Sequence, residues 1–155
     1  MAKLSWTCDK CGESIDDVEH GWVEWISCKD TNGNWKGRNL RLVHHQPFSP
    51  IKSGNGCQYN QRVDLTNEEI LSDLPLRSFV GADGLMDLLA LTADQIPTDE
   101  VVEMVKRLHI PNYEAARLHF HRAIAGGAFE PNTRPGFYSQ SDIAAVLKFV
   151  RQNPE

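Results

Sequence analysis

The sequence predicts an α+β protein, and three observations carry that reading. Two short runs rich in aromatic and branched residues, Gly21-Trp22-Val23-Glu24-Trp25-Ile26 and Leu40-Arg41-Leu42-Val43-His44, flank an Asn-Gly turn signal. From about residue 64 the apolar residues recur at helical spacing. All four cysteines fall before residue 58. Together these predict a small β-hairpin domain over 1–62, followed by an all-α domain of about five helices over 63–155.

The hairpin is predicted first. Asp30-Thr31-Asn32-Gly33-Asn34 supplies residues that tolerate positive φ between the two strand runs. Pro47-Phe48-Ser49-Pro50 and Ser53-Gly54-Asn55-Gly56 then read as an irregular loop leading to Cys57. Thr66 with Glu69 fits a capping box for a first short helix. A second, Gly84 to Leu91, places Leu85, Leu88 and Leu89 on one face. The third opens at Thr98 after Pro97 and aligns Val101, Val105 and Leu108. The fourth runs from Pro111 to Ala125 and stops at Gly126-Gly127, with Tyr113, Ala116, Phe120 and Ile124 on one stripe. The last begins at Ser139, paired with Asp142, and buries Ile143, Val146, Leu147 and Val150.

A chain of 155 residues, 41% hydrophobic and 24% charged, can bury one good core or two small ones. The start MAKLSW lacks a leader-like apolar run, and no later stretch is long enough to cross a bilayer, so a cytoplasmic protein without membrane contact is expected. In a reducing compartment four cysteines favour metal ligation over disulfides. The net charge of −5 is uneven. Residues 63–103 hold one basic and ten acidic side chains, whereas 104–151 hold seven basic and three acidic. One half could meet an anionic partner that the other repels.

Cys8-Asp9-Lys10-Cys11-Gly12 can wrap two thiolates around one ion, and a tetrahedral shell then wants two more ligands. The candidates are Cys28, His44, His45 and Cys57. Strand alternation puts His44 on the face of Leu40 and Leu42, and His45 on the other, so His44 is the better third ligand. Cys57 follows Gly-Asn-Gly, which lets the chain turn tightly enough to deliver its sulfur. Cys28, at the end of the aromatic strand, reads equally as a small buried thiol. The predicted set is Cys8, Cys11, His44 and Cys57 around Zn2+, with His45 and Cys28 as alternatives. A shell with four protein ligands has no open position, so its metal would hold the fold. In its first knuckle and in the order of hairpin and later ligands, the segment resembles zinc-ribbon and treble-clef-like modules. Eleven residues separate His45 from Cys57, where such modules have a short second knuckle.

Two further resemblances concern function. The Val43-His44-His45 run, followed by Asn55 and Asn60, is somewhat similar to HNH-type nucleases, which implies a histidine general base oriented by an asparagine. After His45 the next histidine is His109, in a different block. The stretch from Glu103 through Ile110-Pro111 to Phe137-Tyr138 resembles a winged helix-turn-helix. That likeness implies DNA contact through Arg117, His121 and Arg122 on the second helix and Arg134 at the tip of a wing around Asn132–Gly136. His119 and His121 are two apart and point to different sides of a helix, which suits surface residues better than a metal pair.

No nucleotide-binding glycine pattern, nucleophile elbow or HExxH is present in the sequence. The sequence therefore reads as a non-enzymatic zinc-binding interaction protein with a protein partner. Trp22, Trp25, Trp35 and His45 are expected to form its hairpin surface, and the basic helical half a second contact. A winged-helix-like DNA-binding regulator is the first alternative and a degenerate HNH-like nuclease the second.

Overall fold

The computed structural model describes residues 3–132 and 134–155. Among the described residues, two antiparallel sheets and five α-helices make the chain α+β. The chain divides into two compact units, 1–109 and 110–155. The change of texture near residue 62 lies inside the first unit.

In the first unit, β1 (Trp6–Thr7) and β2 (Ser14–Ile15) form a minimal antiparallel pair with Trp6 opposite Ile15. β3 (Gly21–Lys29) and β4 (Trp35–His44) are the expected hairpin. Its turn is organised by Asp30, whose carboxylate accepts from the Asn32 and Asn34 amides at 2.8 and 2.9 Å. β5 (Glu69–Pro75) pairs with β3 on the other side, giving the order β4-β3-β5.

The short helix expected after Thr66 is this strand instead. Glu69 does accept from the Thr66 amide, at 3.0 Å, but the bond closes a turn. Ladder pairing from Cys28↔Glu69 to Trp22↔Pro75 then holds the following residues extended. Tertiary pairing overrides a local helix signal that has no helical hydrogen bonds behind it.

β3 is the central strand, and Val23, Glu24, Trp25 and Ile26 are all buried. A strand covered on both faces loses its alternation. On one face lie helical segments: a side chain at Gly21 would meet Leu76, and one at Gly37 would meet Ile96 and Trp25. These belong to the layer built by α1 (Gly81–Ala90) and α2 (Thr98–His109) with Phe79, Leu88, Leu91 and Met104. Trp25 is therefore 7% exposed and is a core residue, not part of a surface. On the other face Glu24 receives the Tyr59 amide, so the 57–65 segment covers it.

The buried stripe of α1 also differs from expectation. Gly84 and Leu88 face inward while Leu89 is 44% exposed. Gly84 sits so close to the Phe79 backbone that a Cβ there would lie 2.4 Å from its carbonyl carbon. That contact rotates the helix away from a leucine-only face.

In the second unit the expected helix over 111–125 is two pieces, α3 (Tyr113–Ala116) and α4 (Phe120–Ala125). The His119 amide bonds the Ala116 carbonyl at 2.9 Å, a tighter turn that breaks the helix between them. α5 (Gln140–Gln152) begins at Ser139 with the predicted capping box to Asp142. Ile143 and Val146 pack with Tyr113, Ala116, Phe120 and Ala123 in a second core. Between α4 and α5 no strand occurs among the described residues, so the wing hairpin is not formed there. Thr133, inside the expected wing turn, lies outside the described residues. Phe129 and Tyr138 go to the core instead, Tyr138 4.6 Å from Phe120 and 5.4 Å from Phe129 between ring centroids. No helix among the described residues is long and apolar enough to cross a membrane.

Glu24 is fully buried and bonds Arg41 at 2.7 Å across the hairpin. Burial pushes its carboxyl up, while the Arg41 charge and the Tyr59 amide pull it down. Removing one partner of a buried pair strands the other. Glu24→Ala should therefore lower unfolding free energy by about 3 kcal/mol, measured by urea denaturation; a loss within the noise of surface variants would contradict this account.

Candidate metal centre

The ligand atoms of Cys8, Cys11, His44 and Cys57 lie within 4.8 Å of one another, close enough to bind a metal ion. They come from three places in the chain. Cys8 and Cys11 sit on the knuckle between β1 and β2, His44 ends β4, and Cys57 follows the long loop.

The knuckle turns because Gly12 adopts φ +79° and returns its amide to the Cys8 carbonyl at 3.0 Å. The Cys8 amide in turn donates to the Glu13 carbonyl at 2.9 Å. Asp9 fastens the knuckle to the sheet. Its amide donates to the Leu42 carbonyl and its carboxylate accepts from the Leu42 amide, both at 2.8 Å. Arg107 of α2 closes the arrangement from outside, donating to Asp9 at 2.7 Å and to the Thr7 carbonyl at 2.9 Å. This buried arginine had no signal in the sequence beyond its place on a helix.

His44 Nδ1 lies 3.5 Å from the Cys11 sulfur and 3.7 Å from that of Cys57. Its Nε2 lies 3.0 Å from the Ser14 carbonyl. Since a carbonyl can only accept, Nε2 carries a proton, and the neutral ring in that tautomer turns the Nδ1 lone pair toward the sulfurs. An imidazole locked by such a bond is a pre-oriented metal ligand.

Cys57 is fully buried and its sulfur is 3.0 Å from the hydroxyl of Ser49, itself fully buried. Ser49 Oγ also accepts from the Ile51 amide at 3.0 Å, which leaves its proton and one lone pair to meet the sulfur. Gly56 allows this approach. It has φ +61°, and a Cβ there would fall 2.8 Å from Ser49. Arg41 donates to the Cys57 carbonyl at 3.0 Å and stacks 3.4 Å from the Tyr59 ring centroid, tying the loop to Glu24 and the hairpin.

The alternatives are placed elsewhere. His45 stacks on Trp22 at 4.5 Å between ring centroids, on the other side of the strand. Cys28 pairs with Lys36 at the far end of the hairpin from the Gly21↔His44 pair. The seven-residue step from Gly21 to Cys28 corresponds to roughly 23 Å. Asn55 and Asn60 use their side chains on nearby backbone, Asn55 donating to the Tyr59 carbonyl and Asn60 accepting from the Arg62 amide.

The four residues considered for nucleic-acid contact all lie in the second unit. Arg117 pairs with Glu114 at 3.0 Å. Arg122 donates to the Asn153 carbonyl at 2.7 Å and lies 3.6 Å from Glu155. His121 and Arg134 are exposed. The basic run is also divided, since Arg107 and Lys106 belong to the first unit, where Lys106 pairs with Glu103. The second unit holds five basic and four acidic residues, close to neutral.

Compared with protein-family models, curated proteins and solved structures, the chain matches none of them.

Burial pushes the Cys11 thiol from 9.0 up to about 12, opposed by the Glu13 backbone and reinforced by the Cys8 and Cys57 sulfurs. A thiol raised in the fold stabilises it below its unfolded value, and that contribution is lost as pH climbs toward the folded one. Metal-free protein should therefore lose Tm from about pH 9 upward, whereas metal-loaded protein, with its thiolates already ligated, should show a smaller loss. Parallel melts with and without chelator read the difference, and superimposable profiles would contradict it. Metal affinity separates the residues. His44→Ala and Cys57→Ser should abolish tight binding, while His45→Ala and Cys28→Ser should leave one ion per chain. Ser49→Ala should weaken affinity by roughly tenfold or more, measured by competition with a chromophoric chelator.

Proposed function

We propose that Cys8, Cys11, His44 and Cys57 hold one structural Zn2+, and that the protein works by binding a protein partner. The observation that carries the metal assignment is the convergence of three buried or half-buried sulfurs and one oriented imidazole. Thiolate-rich tetrahedral donor sets suit zinc over harder ions, which prefer oxygen. Four protein donors leave no place for a reactive water, so the ion serves architecture and not hydrolysis. His44 faces the cluster and His45 stacks on Trp22, while Asn55 and Asn60 spend their side chains on nearby backbone, so the nuclease reading lacks the asparagine that would orient a base.

The interaction reading rests on the hairpin rim. His20 stacks on Phe48 at 3.9 Å and Trp22 on His45 at 4.5 Å, with Phe48 47% exposed. Rigid, partly exposed aromatic side chains are the residue types that anchor protein interfaces. Paired arginines and a nearly neutral second unit give duplex DNA less to hold.

All four tryptophans precede residue 36, so their fluorescence reports the first unit. The reduced chain should carry one zinc by native mass spectrometry, and cobalt substitution should give sulfur-to-metal charge-transfer bands. Chelation should shift tryptophan emission to the red as the knuckle and loop come apart. A metal-free mass with unchanged emission on chelation would overturn the assignment.

A further inference from the structure

The outer edge of β5 carries hydrogen-bonding groups and apolar side chains that the fold leaves without a neighbouring strand. Among the described residues β5 pairs only with β3. Gln61 shows which backbone groups face away from β3. Its side-chain amide donates to the Glu69 carbonyl at 2.8 Å and accepts from the Leu71 amide at 2.9 Å. A carboxamide held this way imitates the peptide group of an added strand. Backbone groups alternate direction along a strand, so the amide and carbonyl of Asp73 face outward with those of Leu71. Ile70 and Leu74 share one face with Ser72 and are 49% and 43% exposed.

We propose that this edge pairs antiparallel with the same edge of a second copy of the chain, the twofold axis passing through Ser72. Leu71 of each copy then exchanges both backbone bonds with Asp73 of the other. Ile70 faces Leu74 of the second copy, and the reverse, so the two exposed apolar residues cover each other. Other registers are worse. An axis at Leu71 sets Asp73 against Glu69, and an axis at Asp73 sets its carboxylate against its own copy; like charges directly opposite destabilise. With the axis at Ser72, Pro75, which has no amide hydrogen, meets only the terminal Glu69, whereas a shift of the axis toward Pro75 brings it opposite Leu71 or Asp73. Such self-complementarity about one residue is what an isologous interface requires. The result is a continuous six-stranded sheet, with Gln61 as an internal competitor for the Leu71 amide.

The inference does not depend on which metal is bound. Sedimentation velocity of the full metal-loaded chain, from micromolar to submillimolar concentration, tests it. A reversible monomer–dimer equilibrium is expected. Ile70→Lys should weaken it by at least roughly tenfold, because each ammonium would face a leucine. Adding Leu74→Glu to the same chain should restore the dimer, since the introduced ammonium and carboxylate then lie opposite each other across the axis. Gln61→Ala, which alters no core residue, should tighten the dimer by freeing the Leu71 amide. Metal content measured on every variant separates loss of pairing from loss of the fold. A wild-type chain that stays monomeric throughout, a double variant no better than Ile70→Lys, or a dimer unaffected or weakened by Gln61→Ala would each overturn the proposal.

Discussion

The meeting of three sulfurs and one imidazole from distant parts of the chain is the constraint on which the first unit depends. Cys8 and Cys57 are separated by the whole hairpin, and both are almost completely buried. A buried cluster of thiols gains little by itself, because thiols make weak hydrogen bonds. A metal bound there would change the balance, because it would join segments whose closure otherwise costs chain entropy.

The polar network around the cluster has the same task. The 51–64 segment is short of large apolar residues, and only Cys57 among its members is fully buried. It is held by Arg41, which spans the Glu24 carboxylate, the Cys57 carbonyl and the Tyr59 ring. On the opposite flank Arg107 and Asp9 fasten the knuckle to β4. Each buried charge is matched by an opposite one and by backbone groups, which is the condition for tolerating it. Local order at the site is thus built from charged side chains as much as from the apolar core beneath it.

The proposed function is an outward one. Four protein donors would leave a bound ion no open position, while the hairpin rim presents stacked rings and, among the described residues, the outer edge of β5 has no neighbouring strand. The charge distribution fits this better than it fits a nucleic-acid reader, because the second unit is close to neutral and two of its arginines are paired with carboxylates.

What the sequence by itself determined are the features whose signal is local. The CxxC knuckle, the Asn-Gly hairpin turn, the facing of His44 over His45, and the Ser139 cap each depend on neighbouring residues or on strand period. Even the choice of Cys57 over Cys28 was legible, since a glycine on each side of Asn55 supplies the bend. Tertiary structure decided the rest. Thr66 and Glu69 carry a helix-start signal, yet β3 needed a second partner and its ladder drew 69–75 into the sheet. Trp25 reads as surface in an alternating strand, but layers on both faces of β3 bury it. Arg107 reads as one cation in a basic run, and becomes a clamp only once α2 lies against the knuckle. The break between α3 and α4, and the return of Phe129 and Tyr138 to the core, likewise follow from packing around Phe120. The physical reason is common to all of these: local propensity is worth tenths of a kcal/mol to about one per residue, and burial and ladder pairing over several residues outweigh it.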